Sequence, residues 1–252
     1  MKLKGLTLAE ILTALAIIGV VSALTIPTLA KSYKNRVFAN SLQVSVANFE
    51  KAMHQMMSRE GVDNLFDTNA WQEIVSNGTY TLNTNSAAAD KNAFRDSISI
   101  NLPIASVSAV NAWNYNDLSG GNDISIPNPQ PVVFTTEKGV RYGIQINTQR
   151  RSINEVTAYS RGVTYLSRAA NFVIIDVNGD SNPNREGRDI FYYELSADGR
   201  LYPIGSREQC GYTDILNGGI PSYEDPRTLC IDNRDGSFCA AYLAENNYNM
   251  DY

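Results

Sequence analysis

Asp176, Asn178 and Asp180 stand at alternate positions of the stretch Ile175–Phe191, IDVNGDSNPNREGRDIF, and Asp189 follows near its end. Carboxylate and amide oxygens in that pattern are the ligands calcium takes. A filled site would stiffen the surrounding structure and perform no chemistry. The pattern departs from a helix–loop–helix calcium loop: Gly179 comes too early, Ser181 holds the glycine position and Gly187 replaces the closing glutamate. The competing reading is an Asn178-Gly179 β-turn leading into a polar loop, with Asp176 and Asp189 capping backbone amides. Beyond structural calcium, no cofactor is expected.

The three cysteines, Cys210, Cys230 and Cys239, all fall in the last fifth of the chain. In an oxidising compartment this clustering suggests one disulfide and one leftover thiol. Three pairings are open; Cys230–Cys239, which closes the shortest loop and has Asp235-Gly236 to turn between them, is favoured. None of the three has zinc-ligand spacing with a histidine. His54, the single histidine, has no matching Ser or Cys motif near it, so a nucleophile would lack its base. Glu224 and Asp225 are adjacent and point to different sides of an extended chain. There is no phosphate-binding glycine loop, and the chain is expected not to be an enzyme. The formal charge of −5 gives no electrostatic case for nucleic acid as a partner, and Arg150-Arg151 reads as a solvated patch.

Glu10 is the one charge between Lys4 and Lys31, inside an otherwise apolar run from Leu6 to Leu29. A carboxylate near the lipid interior costs about 2.5–3.5 kcal/mol on insertion scales, so its presence there asks for a use. As a helix the run would span ~30 Å or more, enough for one bilayer crossing. Lys2 and Lys4 place the short flank in the cytoplasm and the bulk of the chain outside. Ser22-Ala23-Leu24 is a poor secretory cleavage site. No second apolar stretch of that length follows, which leaves one anchored, outward-facing domain.

Lys4-Gly5, then Leu6-Thr7-Leu8-Ala9-Glu10, then an apolar helix with Pro27 near its end, resembles the type IV prepilin signal of type IV pilins and type II secretion pseudopilins. Leu6 stands where most of that family has Phe. The resemblance implies removal of residues 1–5 by a prepilin peptidase between Gly5 and Leu6, methylation of Leu6, and a retained helix over residues 6–30. It implies that Glu10 compensates the positive amino terminus of a neighbouring subunit and fixes axial register. Pro27 is expected to bend or loosen the helix, or to mark its end at the membrane surface. The DxNG…PN…GxDxF pattern of residues 176–191 also resembles many bacterial pilin-like proteins. A C-terminal disulfide is common among type IV pilins.

A long spine under an antiparallel sheet is the α+β arrangement expected on both grounds. Val37, Phe38, Leu42, Val46, Phe49, Met53 and Met56 recur at helical spacing, and Gly61 stops the helix. Residues 31–252 form the globular domain. Within it, 62–130 reads as a loop-rich variable insertion: Trp71–Val75 suits a short helix, Trp113 and Tyr115 read as buried aromatics, and Asn77-Gly78-Thr79 matches a sequon by chance. Residues 131–205 read as a β-meander: Val132–Thr136 and Val140–Ile146 as a hairpin, then Asn171–Val177, Asp189–Leu195 and Leu201–Ile204, with Ala197-Asp198-Gly199 turning. Residues 206–252 form the cysteine-containing C-terminal region.

The function implied is a structural subunit, minor or specialised, of a pilus-like filament. Its partners would be other pilin or pseudopilin subunits, the peptidase and an inner-membrane assembly platform. It would start as a single-pass protein of the cytoplasmic membrane and end in a periplasmic or extracellular filament. A secretion pseudopilin, an anchored adhesive or ligand-binding domain that never polymerises, and an anchored enzyme are the alternatives.

Overall fold

The computed structural model describes residues 7–68, 98–100, 102–108, 115–116, 118, 123–124, 132–146, 171–207, 225–232 and 236–252. The leader with Gly5 and Leu6, the helix expected at Trp71–Val75, the sequon, Trp113, Arg150-Arg151 and Cys210 lie outside the described residues.

Helix α1 runs unbroken from Leu8 to Glu60, a length of about 80 Å at 1.5 Å per residue. Both ends carry their own stop signals. Thr7 caps the first turn, and Gly61, at φ 66°, closes the last by donating its N–H to Met57 O. That left-handed conformation suits glycine, which lacks a Cβ. The helix does not end at Pro27, which lies inside it.

The two halves of α1 have different surroundings. Asn35, Ala39, Leu42, Ser45, Phe49, Ala52, Met53, Met56 and Met57 are buried at three- and four-residue intervals, one stripe of the helix. Below them the apolar residues face outward: Leu8 is 74% exposed, Leu15 61% and Leu24 71%. This is the one helix among the described residues long and apolar enough to cross a membrane.

The upper half packs on a six-stranded antiparallel sheet of order β1-β4-β5-β6-β7-β8. Its strands are β1 Ile104–Ser108, β4 Val132–Thr136, β5 Arg141–Ile146, β6 Asn171–Asp176, β7 Ile190–Leu195 and β8 Leu201–Pro203; β2 Tyr115–Asn116 and β3 Asp123–Ile124 pair separately. The fold is thus α+β, and β4 to β8 form the expected meander. Strand β1 comes from the stretch expected to be loop-rich and pairs with β4 through an irregular register between Ile104 and Ser106.

Alternate residues of the central strands meet the helix. Tyr142 stacks between Phe49 and Phe134, with ring centroids 5.4 and 5.2 Å away, and its hydroxyl donates to Ser45 O at 3.0 Å. Val173, Ile175, Phe191, Tyr193 and Leu195 complete that core. Every residue of β7 is buried, so the strand is covered on both faces. Leu201 N donates to Glu50 Oε1 on the spine at 2.9 Å, and Leu65 N, in the segment after the helix, donates to Ala197 O at 2.7 Å. His54 is exposed on α1. A short second helix, α2 Cys239–Glu245, ends the regular structure.

Candidate functional site

Two regions carry the residues singled out in the sequence: the start of α1 and the connection between β6 and β7. At the start of α1, Glu10 occupies the third helical position and closes a reciprocal capping box. Its carboxylate accepts from Thr7 N and from Thr7 Oγ1, both at 2.8 Å, while Glu10 N donates to Thr7 Oγ1 at 3.3 Å. The Thr-x-x-Glu spacing of residues 7–10 is a sequence signature of this box, and it gives Glu10 a task within its own chain. Pro27 is exposed on the apolar half.

The β6–β7 connection, Val177–Asp189, folds around two carboxylates. Asp176 Oδ1 accepts from Asn178 N at 3.2 Å and Gly179 N at 2.8 Å. Asp189 takes Asn184 N on one oxygen at 2.8 Å and Arg185 N on the other at 2.7 Å. The first is an Asx-type turn, and in both cases a side-chain oxygen satisfies amides that the strand ladder has released. Val177 N still reaches Asp189 O at 2.9 Å, so the loop closes at its base like a hairpin. The Asn182–Pro183 peptide is cis.

Asp180 behaves differently from its neighbours. Its side chain is 86% exposed and pairs with the guanidinium of Arg141, at the start of β5. The same guanidinium stands 3.9 Å from Asp176 Oδ2. Burial, aided by the like charge of Asp189, pushes the Asp176 carboxyl up to about 7; the Asn178 and Gly179 amides and Arg141 pull the other way. Burial also raises Asp189, against the amides of Arg185 and Asn184 and the Asn178 side chain. Long-range pairing brings Arg141 to this loop, and nothing in the local spacing of residues 176–189 signals it.

Among the described residues no group of three or more His, Cys, Asp or Glu side chains converges as a metal would need. The four residues Asp176, Asn178, Asp180 and Asp189 share one loop, but two of the carboxylates hold backbone amides and Asp180 turns outward. The oxygen-rich part of the loop is its carbonyl and amide lining.

The disulfide Cys230–Cys239 is formed, with Cα atoms 4.8 Å apart. It lies against the far end of the same loop, at Gly187. The last residues of the chain bind there too. Tyr252 Oη donates to Gly187 O at 2.7 Å, Arg188 lies over the Tyr252 ring at 5.3 Å, and Arg188 Nη1 donates to Asn35 Oδ1 at 3.2 Å. Asn35 Nδ2 in turn donates to Met250 O at 2.9 Å. Loop, disulfide, C-terminus and spine therefore form one connected unit. Replacing both Cys230 and Cys239 by Ser should cost about 2–3 kcal/mol through freed loop entropy, read as a lower denaturant midpoint.

No protein-family model, no curated protein and no solved structure matches this chain.

Proposed function

We propose that the chain is a structural subunit of a pilus-like filament, held in the cytoplasmic membrane by the lower half of α1 and withdrawn from it during assembly. One observation carries the reading: a single continuous helix whose upper half is packed on its own sheet and whose apolar lower half is exposed among the described residues. Such a surface needs lipid or other copies of the same helix. A helical fibre supplies the second by burying spine against spine. The sequence resemblance at residues 4–10 supports it, with Glu10 neutralising a neighbour's amino terminus and a buried charge pair serving best as a registry device.

A second reading is favoured by the Thr7–Glu10 capping box. There the carboxylate serves only its own helix, and the protein is a membrane-anchored domain that does not polymerise. Intact-mass and N-terminal analysis of the protein from its native membrane separates the pathways. A chain starting at methylated Leu6 is the expected result. A chain starting at Met1 would sink the filament reading and leave the anchored domain.

A further inference from the structure

Helix α1 carries no Asp or Glu between Glu10 and Glu50, and its three charges there, Lys31, Lys34 and Arg36, follow directly on the apolar run. All three are exposed. None forms an ion pair among the described residues, whereas Arg141, Arg200 and Arg227 each do. With 3.6 residues per turn, the three cations and Tyr33 leave the helix on different sides and make a collar around it. Tyr33 is 71% exposed, and tyrosine is enriched where a span meets the headgroups. The folded domain brings further positive charge to the same height. Arg188 is tied to Asn35, within the collar, by its bond to Asn35 Oδ1, and Arg185 lies close enough for its like charge to act on Arg188. Asp189 and Asp251 stand at this end too, the first capping two amides and the second accepting from Tyr242 Oη at 2.8 Å. They leave the cations in excess.

Cations on the outer flank of a span run against the bias that keeps Lys and Arg in the cytoplasm, so three of them there ask for a use. Given a lower half of α1 held in a membrane, as proposed above, we infer that the collar of Lys31, Lys34 and Arg36 binds anionic phospholipid headgroups on the outer side and seats the domain on the bilayer. The heights agree. At 1.5 Å per residue Lys31 and Arg36 stand about 3 and 10 Å beyond Leu29, and the headgroup region on one side of a bilayer is ~5–7 Å deep. Long basic side chains reach back to phosphate from just above it, with their stems along the apolar helix. Arg185 and Arg188 add positive potential from the domain side. A seated domain is released only when its cations leave the headgroups, so anionic lipid opposes withdrawal of the helix.

The test reconstitutes the full-length protein in phosphatidylcholine vesicles that carry a trace of spin-labelled phosphatidylglycerol or spin-labelled phosphatidylcholine. Electron spin resonance then reads the share of each probe that the protein immobilises. The wild type should hold the phosphatidylglycerol probe over the phosphatidylcholine probe by roughly fivefold, the worth of one cation at a charged lipid surface. The preference should fade in 1 M NaCl, where screening acts within ~3 Å. Replacing Lys31, Lys34 and Arg36 together by Gln should bring the ratio down toward that of Lys2 and Lys4 alone. Glutamine keeps the helix propensity of the residues it replaces, and the three side chains are exposed, so the fold should survive. Equal immobilisation of the two probes by the wild type overturns the inference. So does a preference that the triple variant retains in full, since it places the lipid contact elsewhere. A chain that immobilises neither probe does not sit in the bilayer at all, and then the anchored reading of α1 falls together with the collar.

Discussion

Glu10→Gln is expected to leave the helix and its membrane anchoring intact and to remove the protein from surface fibres. Glutamine fills the third position of a capping box as glutamate does, so the bonds that Glu10 makes with Thr7 have a replacement. Only the charge is lost. In a fibre core the amino terminus of Leu6 would then be buried without its partner, and breaking a buried pair on one side costs about 3–5 kcal/mol. Incorporation should fall by roughly 10²–10⁴-fold, read by immunoblot of sheared fibres against the membrane fraction. Thr7→Ala is the matching control. It loses the cap, about 0.5–2 kcal/mol, but keeps the charge, so its fibres should persist at reduced yield. Wild-type assembly by Glu10→Gln would make Glu10 a helix cap and nothing more, and would remove its registry role.

The parts of the fold that were legible in the sequence are those whose signals are local and long. Val37, Phe38, Leu42, Val46, Phe49, Met53 and Met56 recur over several turns and Gly61 ends them, and of these the structure buries Leu42, Phe49, Met53 and Met56. Ala197-Asp198-Gly199 turns between β7 and β8, and Cys230 pairs with Cys239. What was missed is short or depends on distant partners. Ile104–Ser108, five residues with two serines, becomes a strand because β4 offers it an edge. The C-terminal helix α2 has seven residues and is marginal without the core it packs into. Val37, placed on the buried face by its spacing, is 43% exposed, because the stripe runs through Ala39 and Ser45 instead. Such small and polar residues are not marked by hydrophobicity alone. The candidate loop divides in the same way. The capping of amides by Asp176 and Asp189 was open to a reading of spacing. The tie from Asp180 to Arg141 was not, since the two meet only after β5 and β6 have paired.

Gly187→Ala should strongly destabilise the β6–β7 connection. Two separate penalties meet at this residue. Its φ is 69°, and an L-residue held in the left-handed region costs roughly 1–2 kcal/mol. A Cβ there would also stand 2.6 Å from Cys239 Sγ, 3.0 Å from Cys239 Cβ and 3.2 Å from Gly236 Cα. The sulfur cannot swing aside, because it is bonded to Cys230, and overpacking of this kind costs about 1–3 kcal/mol. Together the loss should be about 2–5 kcal/mol, measured by denaturant unfolding of the full-length protein. The two penalties can be separated by repeating the substitution with both Cys230 and Cys239 changed to Ala. That background removes the sulfur and leaves φ unchanged, so the added cost of Gly187→Ala should shrink toward the 1–2 kcal/mol backbone share. An equal cost in both backgrounds would mean that the disulfide does not press on the loop. A smaller cost with the sulfur gone would tie the loop to the disulfide. Through the bond from Tyr252 to Gly187 O, it would also tie the loop to the tail that clasps the spine at Asn35.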